Sequence, residues 1–115
     1  MSISSAQSAA FFKEVKEHQS VWTIRDSGGI PTSTNQDGET AMPFWSQASR
    51  AQKIIDAVPA YEGFSLSEIP LEEFTSRWLS GLKADGLKVG INWSGKAATG
   101  YDMTPDEVLG FLSIK

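Results

Sequence analysis

Residues 87–93 alternate without a break. Leu87, Val89, Ile91 and Trp93 carry large apolar side chains on one side, and Lys88, Gly90 and Asn92, followed by Ser94, fall on the other. A two-residue period of this kind marks a β-strand with one face on a core, because successive side chains leave a strand in opposite directions. Such a strand cannot satisfy its own backbone, so the rest of the chain has to supply both neighbours and a cover. At 115 residues there is room for one ordinary core. A TIM barrel, at about 250 residues, does not fit. Nor does a dinucleotide-binding sheet with a separate substrate domain.

Elements that could serve that strand can be read on both sides of it. Ser4 or Ser5 can cap a first helix whose stripe, Ser8, Phe11, Phe12 and Val15, has helical spacing, with Lys13, Glu14, Lys16 and Glu17 facing water. The period changes near His18. Residues 21–26 alternate, with Trp22 and Ile24 on one face and Val21, Thr23 and Arg25 on the other. Ser27-Gly28-Gly29 and Asn35-Gln36-Asp37-Gly38 are turn signals on either side of a second strand over 30–34, which Pro31 places near an edge. A third strand over 39–44 completes an antiparallel meander.

Ser46 is the expected cap of a second helix with the stripe Ala48, Ala51, Ile55 and Val58, ended by Pro59. Phe64, Leu66 and Glu68 suit a short strand. Pro70, Glu72 and Glu73 open a third helix with Leu71, Phe74, Trp78 and Leu82 on one face, closed by Gly81 or Gly86. Thr104-Pro105-Asp106-Glu107 is a capping box, and Val108, Leu109, Phe111 and Leu112 are expected to dock the last helix. No repeat or linker divides the chain, so residues 1–115 are read as a single domain. Strands alternating with helices in the second half require right-handed crossovers. The expected fold class is α+β: a mixed, largely antiparallel sheet of four or five strands with about four helices packed mainly on one face.

Composition narrows the chemistry. With no cysteine there is no disulfide, thiolate nucleophile or Cys-based metal site. One histidine, His18, cannot build a His-rich centre, and no cofactor is expected. The net charge of −4, with basic residues such as Arg25, Arg50, Lys53 and Lys88 dispersed among acids, argues against nucleic acid as a partner. No apolar run reaches the length of a signal core or a membrane span, so a cytoplasmic location without membrane contact is expected.

Two motifs imitate active sites. Residues 90–97 come close to the phosphate-binding loop, but the last position is Ala97, with no hydroxyl for magnesium, and Gly90 lies inside the strand. Asp26-Ser27-Gly28-Gly29 is similar to the surround of a chymotrypsin-type nucleophile, yet hairpin chemistry explains it and no second barrel is possible. The carboxylates Glu68, Glu72 and Glu73, and Asp102, Asp106 and Glu107, sit at helix starts where the macrodipole accounts for them.

The chain has four tryptophans. Trp22, Trp78 and Trp93 fall at inward positions, whereas Trp45, between Pro43-Phe44 and Ser46, is either a plug at a strand-to-helix junction or the wall of a ligand site.

Val21-Trp22, Asp37-Gly38, Pro43-Phe44-Trp45-Ser46, Phe74 with Trp78-Leu79, Asp85-Gly86 and Val89-Gly90-Ile91-Asn92-Trp93 occur in that order. Together they resemble the bacterial family known as domain of unknown function 2750, over about residues 11–112. The resemblance implies a small bacterial protein and assigns no catalytic or ligand residue. A fainter similarity, in the order of turn, Pro-Phe strand end, helix and late Asn-bearing strand, is to the SseB-like domain and concerns fold alone.

With no complete catalytic set, the expected function is a non-enzymatic protein-interaction module of accessory or immunity type, whose partner is another protein. Its oligomeric state is not legible. The alternative is a small anionic ligand-binding domain or minor enzyme. If the third and last strands are parallel, one rim gathers Trp45, Ser46, Asn92, Ser94 and Lys96, where a helix start and a lysine suit an anion.

Overall fold

A computed structural model describes residues 3–95 and 99–113 of the chain, with side chains over 8–95 and 100–113. Helix α1, Ile3–His18, begins ahead of Ser4 and Ser5, so neither caps it. Phe11, Phe12 and Val15 are buried as their spacing requires. The helix ends abruptly because Gln19 adopts a left-handed conformation (φ 57°), which turns the chain straight into strand β1, Ser20–Arg25. Two bonds hold that uncommon conformation: the Gln19 amide donates to the Val15 carbonyl at 2.8 Å, and its Nε2 donates to the Lys16 carbonyl at 2.7 Å.

The expected meander does not form. β1 pairs antiparallel with β4 (Ser65–Pro70), Val21 opposite Ile69 and Ile24 opposite Leu66. β2 shrinks to Ser33–Thr34, an exposed edge on β3 (Thr40–Phe44). The Asp26–Gly29 turn does close, with reciprocal backbone bonds of 3.1 Å. Beyond it, however, 32–39 is an exposed polar stretch with nothing to bury. β1 has apolar residues on both faces and needs a partner that can cover them.

Two reciprocal bonds of 2.7 Å between Trp22 and Trp45 tie β1 to the end of β3. β3 runs parallel to β5 (Lys88–Ser94), Phe44 opposite Ile91, and β5 turns back antiparallel into β6 (Thr99–Met103). The sheets are therefore β1-β4 and β2-β3-β5-β6, an α+β fold with mixed pairing. β6 has no counterpart in the sequence reading.

The alternation of β5 also breaks. Asn92 has φ 46° and the β5–β6 register slips between Ile91 and Ser94, so one extra residue is inserted. Trp93 thereby crosses to the face of Gly90, where its ring occupies the space of an absent side chain: a Cβ on Gly90 would lie 2.4 Å from it. Two cores result. On one face Phe44, Val89 and Ile91 meet α1 and the helices of the second half. On the other, Trp45 and Trp93 meet Ile24 and helix α2, Ala48–Ala57. Trp22 is half-buried against that second core.

The cap of α2 is Gln47 rather than Ser46, and its buried residues are Ala51 and Ile54, with Ile55 only half-buried. Its end at Pro59 is as read: Val58 is extended and a single 3-10 turn, Pro59–Tyr61, follows.

One helical run covers 71–84: α3 (Leu71–Glu73), a π segment (Phe74–Trp78) and α4 (Leu79–Ala84), with Pro70 as the cap ahead of it. The Leu79 amide bonds to the Phe74 carbonyl, a five-residue step that buries both side chains and shifts the stripe by one residue. The run closes at Gly86 (φ 71°): Gly86 N–H donates to Lys83 and Leu87 N–H to Leu82, a Schellman pair. Helix α5, Pro105–Ser113, has the capping box, Glu107 N–H on Thr104 Oγ1 at 3.1 Å and Thr104 N–H on Glu107 Oε1 at 2.9 Å. Val108 docks it and Leu112 is half-buried. Leu109 and Phe111 stay 40 % and 49 % exposed, the Phe111 ring stacked on Phe12. No helix among the described residues is long and apolar enough to cross a membrane.

Candidate functional site

The parallel pairing of β3 and β5 brings two carboxyl ends side by side, Phe44-Trp45-Ser46 leading to α2 and Asn92-Trp93-Ser94 leading to the turn at Gly95. Positions of this kind are where crossover sheets leave backbone polar groups beside a gap. Here the gap is bridged from within. Ser46 N–H donates to Asn92 Oδ1 and Asn92 Nδ2 donates to Ser46 Oγ, both at 3.0 Å. The Ser46 hydroxyl donates in turn to Glu14 Oε1. Ser46 and Asn92 are 1 % and 3 % exposed, so the left-handed conformation of Asn92 is the means by which a buried amide is aimed at the chain across the sheet.

Glu14 does not face water as its place on α1 suggested; its side chain is only 18 % exposed. Arg50 of α2 explains why, donating from Nε at 2.9 Å and from Nη2 at 2.8 Å to its two oxygens. This fork holds the Glu14 carboxyl below the usual carboxylate range; burial works against it and the Ser46 hydroxyl assists. Reciprocally, Glu14 raises Arg50 above its ordinary value. Nη1 of Arg50 is left outside any hydrogen bond among the described residues.

Arg50 also lines a cleft of about 250 Å³ between α2 and the end of β5. Arg50, Lys53, Ile54 and Ala57 line one wall at helical spacing, and Asn92, Trp93, Ser94 and Gly95 line the other. Lys53 is exposed and makes none of the ion pairs among the described residues. No carboxylate lines the cleft among those residues. Two cations over a small apolar floor can receive an anion of a few atoms. Among the described residues no group of three His, Asp or Glu could hold a metal ion.

The five residues expected on one rim are thus divided. Asn92 and Ser94 line the cleft. Ser46 joins Asn92 from behind and opens instead on a second hollow beside His18, Trp22 and Glu68. Trp45 is fully buried, its Nε1 donating to the Trp93 carbonyl at 2.8 Å, the position of a junction plug. Lys96 lies outside the described residues. Sequence reasoning missed Glu14, Arg50 and Lys53. Only the 50, 53, 54, 57 spacing hinted at the last two, because dispersed charge usually marks a solvated face.

The motif imitations dissolve for physical reasons. Gly90 is covered by the Trp93 indole, which closes the first glycine of the motif to a phosphate. Gly28 N–H bonds to Asp26 Oδ1 at 2.8 Å, making Asp26-Ser27-Gly28-Gly29 a self-contained turn.

Comparison with curated proteins gives no match. The Pro43-Phe44-Trp45-Ser46 junction, the Asn92 bulge and the Arg50–Glu14 fork all fall within residues 8–112, which match the family described as protein of unknown function (DUF2750), and to that family the chain belongs.

Proposed function

We propose that this protein is a non-enzymatic binding module for a small anion, taken up between α2 and the end of β5. The observation that carries the reading is the clamped Arg50 guanidinium, whose Nη1 makes no hydrogen bond among the described residues, beside Lys53 in a cleft that no carboxylate lines among those residues, in a chain of net charge −4. A fixed guanidinium loses little entropy on binding and suits the planar edge of a carboxylate or the oxygens of a phosphate. The volume, about 250 Å³, lies below the usual range for drug-sized ligands, so the anion is small.

Trp93 lines the cleft and reports occupancy, so titration of inorganic phosphate and of short carboxylates against tryptophan fluorescence tests the reading. Saturable change is expected that weakens with added salt and is reduced by Lys53→Ala. A flat titration, or a change that Lys53→Ala leaves intact, overturns it.

The second reading, a protein-interaction module of accessory or immunity type in the bacterial cytoplasm, draws on the exposure of Leu109 and Phe111 on α5. Its check is a partner recovered from native cells whose binding is lost on Leu109→Glu.

A further inference from the structure

We propose that the protein forms a homodimer through the hollow between α4 and β3, two copies packing about a two-fold axis at Gly81. The hollow, of about 260 Å³, has an apolar floor that includes Met42, Trp78, Leu82 and Leu87, and Arg77, Gly81 and Asp85 complete its lining. Met42, Trp78 and Leu87 are each only half-buried. The recess is mainly apolar, and three features of its lining point to a second copy of the same chain as the occupant.

The first is the placement of charge. Arg77 and Asp85 stand four residues either side of Gly81 on one face of the helical run, about 12 Å apart at the ordinary rise per residue. A two-fold axis through Gly81 sets the two runs antiparallel and puts Arg77 of each copy opposite Asp85 of the other, so both pairs form at once. In an isologous interface every contact occurs twice, and a patch with one charge of each sign at equal distances from its centre is complementary to itself. Both charges are available. Asp85 enters no ion pair among the described residues, and Arg77 has only a long contact of 3.6 Å to Glu73, with its side chain 79 % exposed.

The second is Gly81 itself. It lies within α4 without a positive φ, and a Cβ built on it meets nothing within 4 Å. Neither conformation nor packing inside the chain calls for glycine there, and an exposed helical glycine is less stable than alanine by about 1 kcal/mol. Close approach of a second backbone accounts for it. The third is Trp78, whose half-exposed indole on a self-facing patch is the kind of anchor that dominates interface energy.

Sedimentation velocity over a concentration series decides the matter. The expected mass moves from 12.5 kDa to twice that as concentration rises. Arg77→Asp and Asp85→Arg each place like charges opposite one another twice and should raise the dissociation constant by about tenfold or more. The double variant Arg77→Asp with Asp85→Arg restores both pairs and should dimerise again. Gly81→Glu should abolish the dimer while the unfolding transition of the monomer is retained. Lys53→Ala should leave association unchanged, which separates this proposal from the anion site. A chain that stays monomeric throughout, or a dimer indifferent to Gly81→Glu and to both charge reversals, overturns it. So does a hollow that takes up only an apolar dye or a different protein.

Discussion

At Gly90 the absence of a side chain is itself a contact, because the Trp93 ring fills the vacated space. Gly90→Ala therefore drives a methyl group into a packed indole, and we expect a loss of about 1–3 kcal/mol, read as a lowered urea midpoint. Glu14 governs a different property. Its folded pKa is depressed from 4.5, chiefly by the Arg50 fork, so ionised Glu14 stabilises the fold fully above about pH 4.5 and that contribution is lost as pH falls through the lower, folded value. Glu14→Gln should be less stable at neutral pH, with Arg50 left facing a neutral amide, and its stability should fall less steeply with acid. Glu39 and Glu107 are also lowered, by Lys88 and by the Thr104 cap, so a shallower acid limb persists in the variant. Denaturant titrations at a series of pH values check both halves of the claim.

Helix ends are decided by single turns of chain. Gly86→Ala forces an L side chain into a left-handed C-terminal position and should cost about 1 kcal/mol; Thr104→Ala removes the α5 cap and should cost a similar amount. Calorimetric Tm values check the pair. The stop was narrowed only to Gly81 or Gly86, whereas the start at Thr104 was legible because its chemistry lies within three residues. The π segment was not: from a 3.6 period the stripe reads Phe74, Trp78, Leu82, whereas the five-residue step to Leu79 exists only because burying Phe74 and Leu79 together outweighs a regular turn. β6 escaped for a related reason, since its alternation is short and its strand character comes from the neighbour it pairs with.

Across the whole molecule, two cores share one sheet, and the candidate site lies where α2 closes over the second of them. Lys53 stands outside both, so Lys53→Ala should change stability by less than about 0.5 kcal/mol while weakening the anion, a separation that urea unfolding and fluorescence titration of one sample can read. Arg50 offers no such separation, since removing it leaves the Glu14 carboxylate, only 18 % exposed, without its partner.

Alternation, caps and turn residues settled the α+β class and the helix boundaries near His18, Pro59 and Thr104, because each depends on neighbours in the chain; the lack of cysteine settled the absence of thiol chemistry. Pairing was settled in space. β1 chose β4 over β2 because both its faces carry apolar side chains that the polar stretch after Gly29 cannot cover. Glu14 met Arg50, 36 residues away, because α1 and α2 pack on opposite faces of the same sheet and both reach β5. A cleft made by such a meeting has no local signature; it exists only once two faces have been buried.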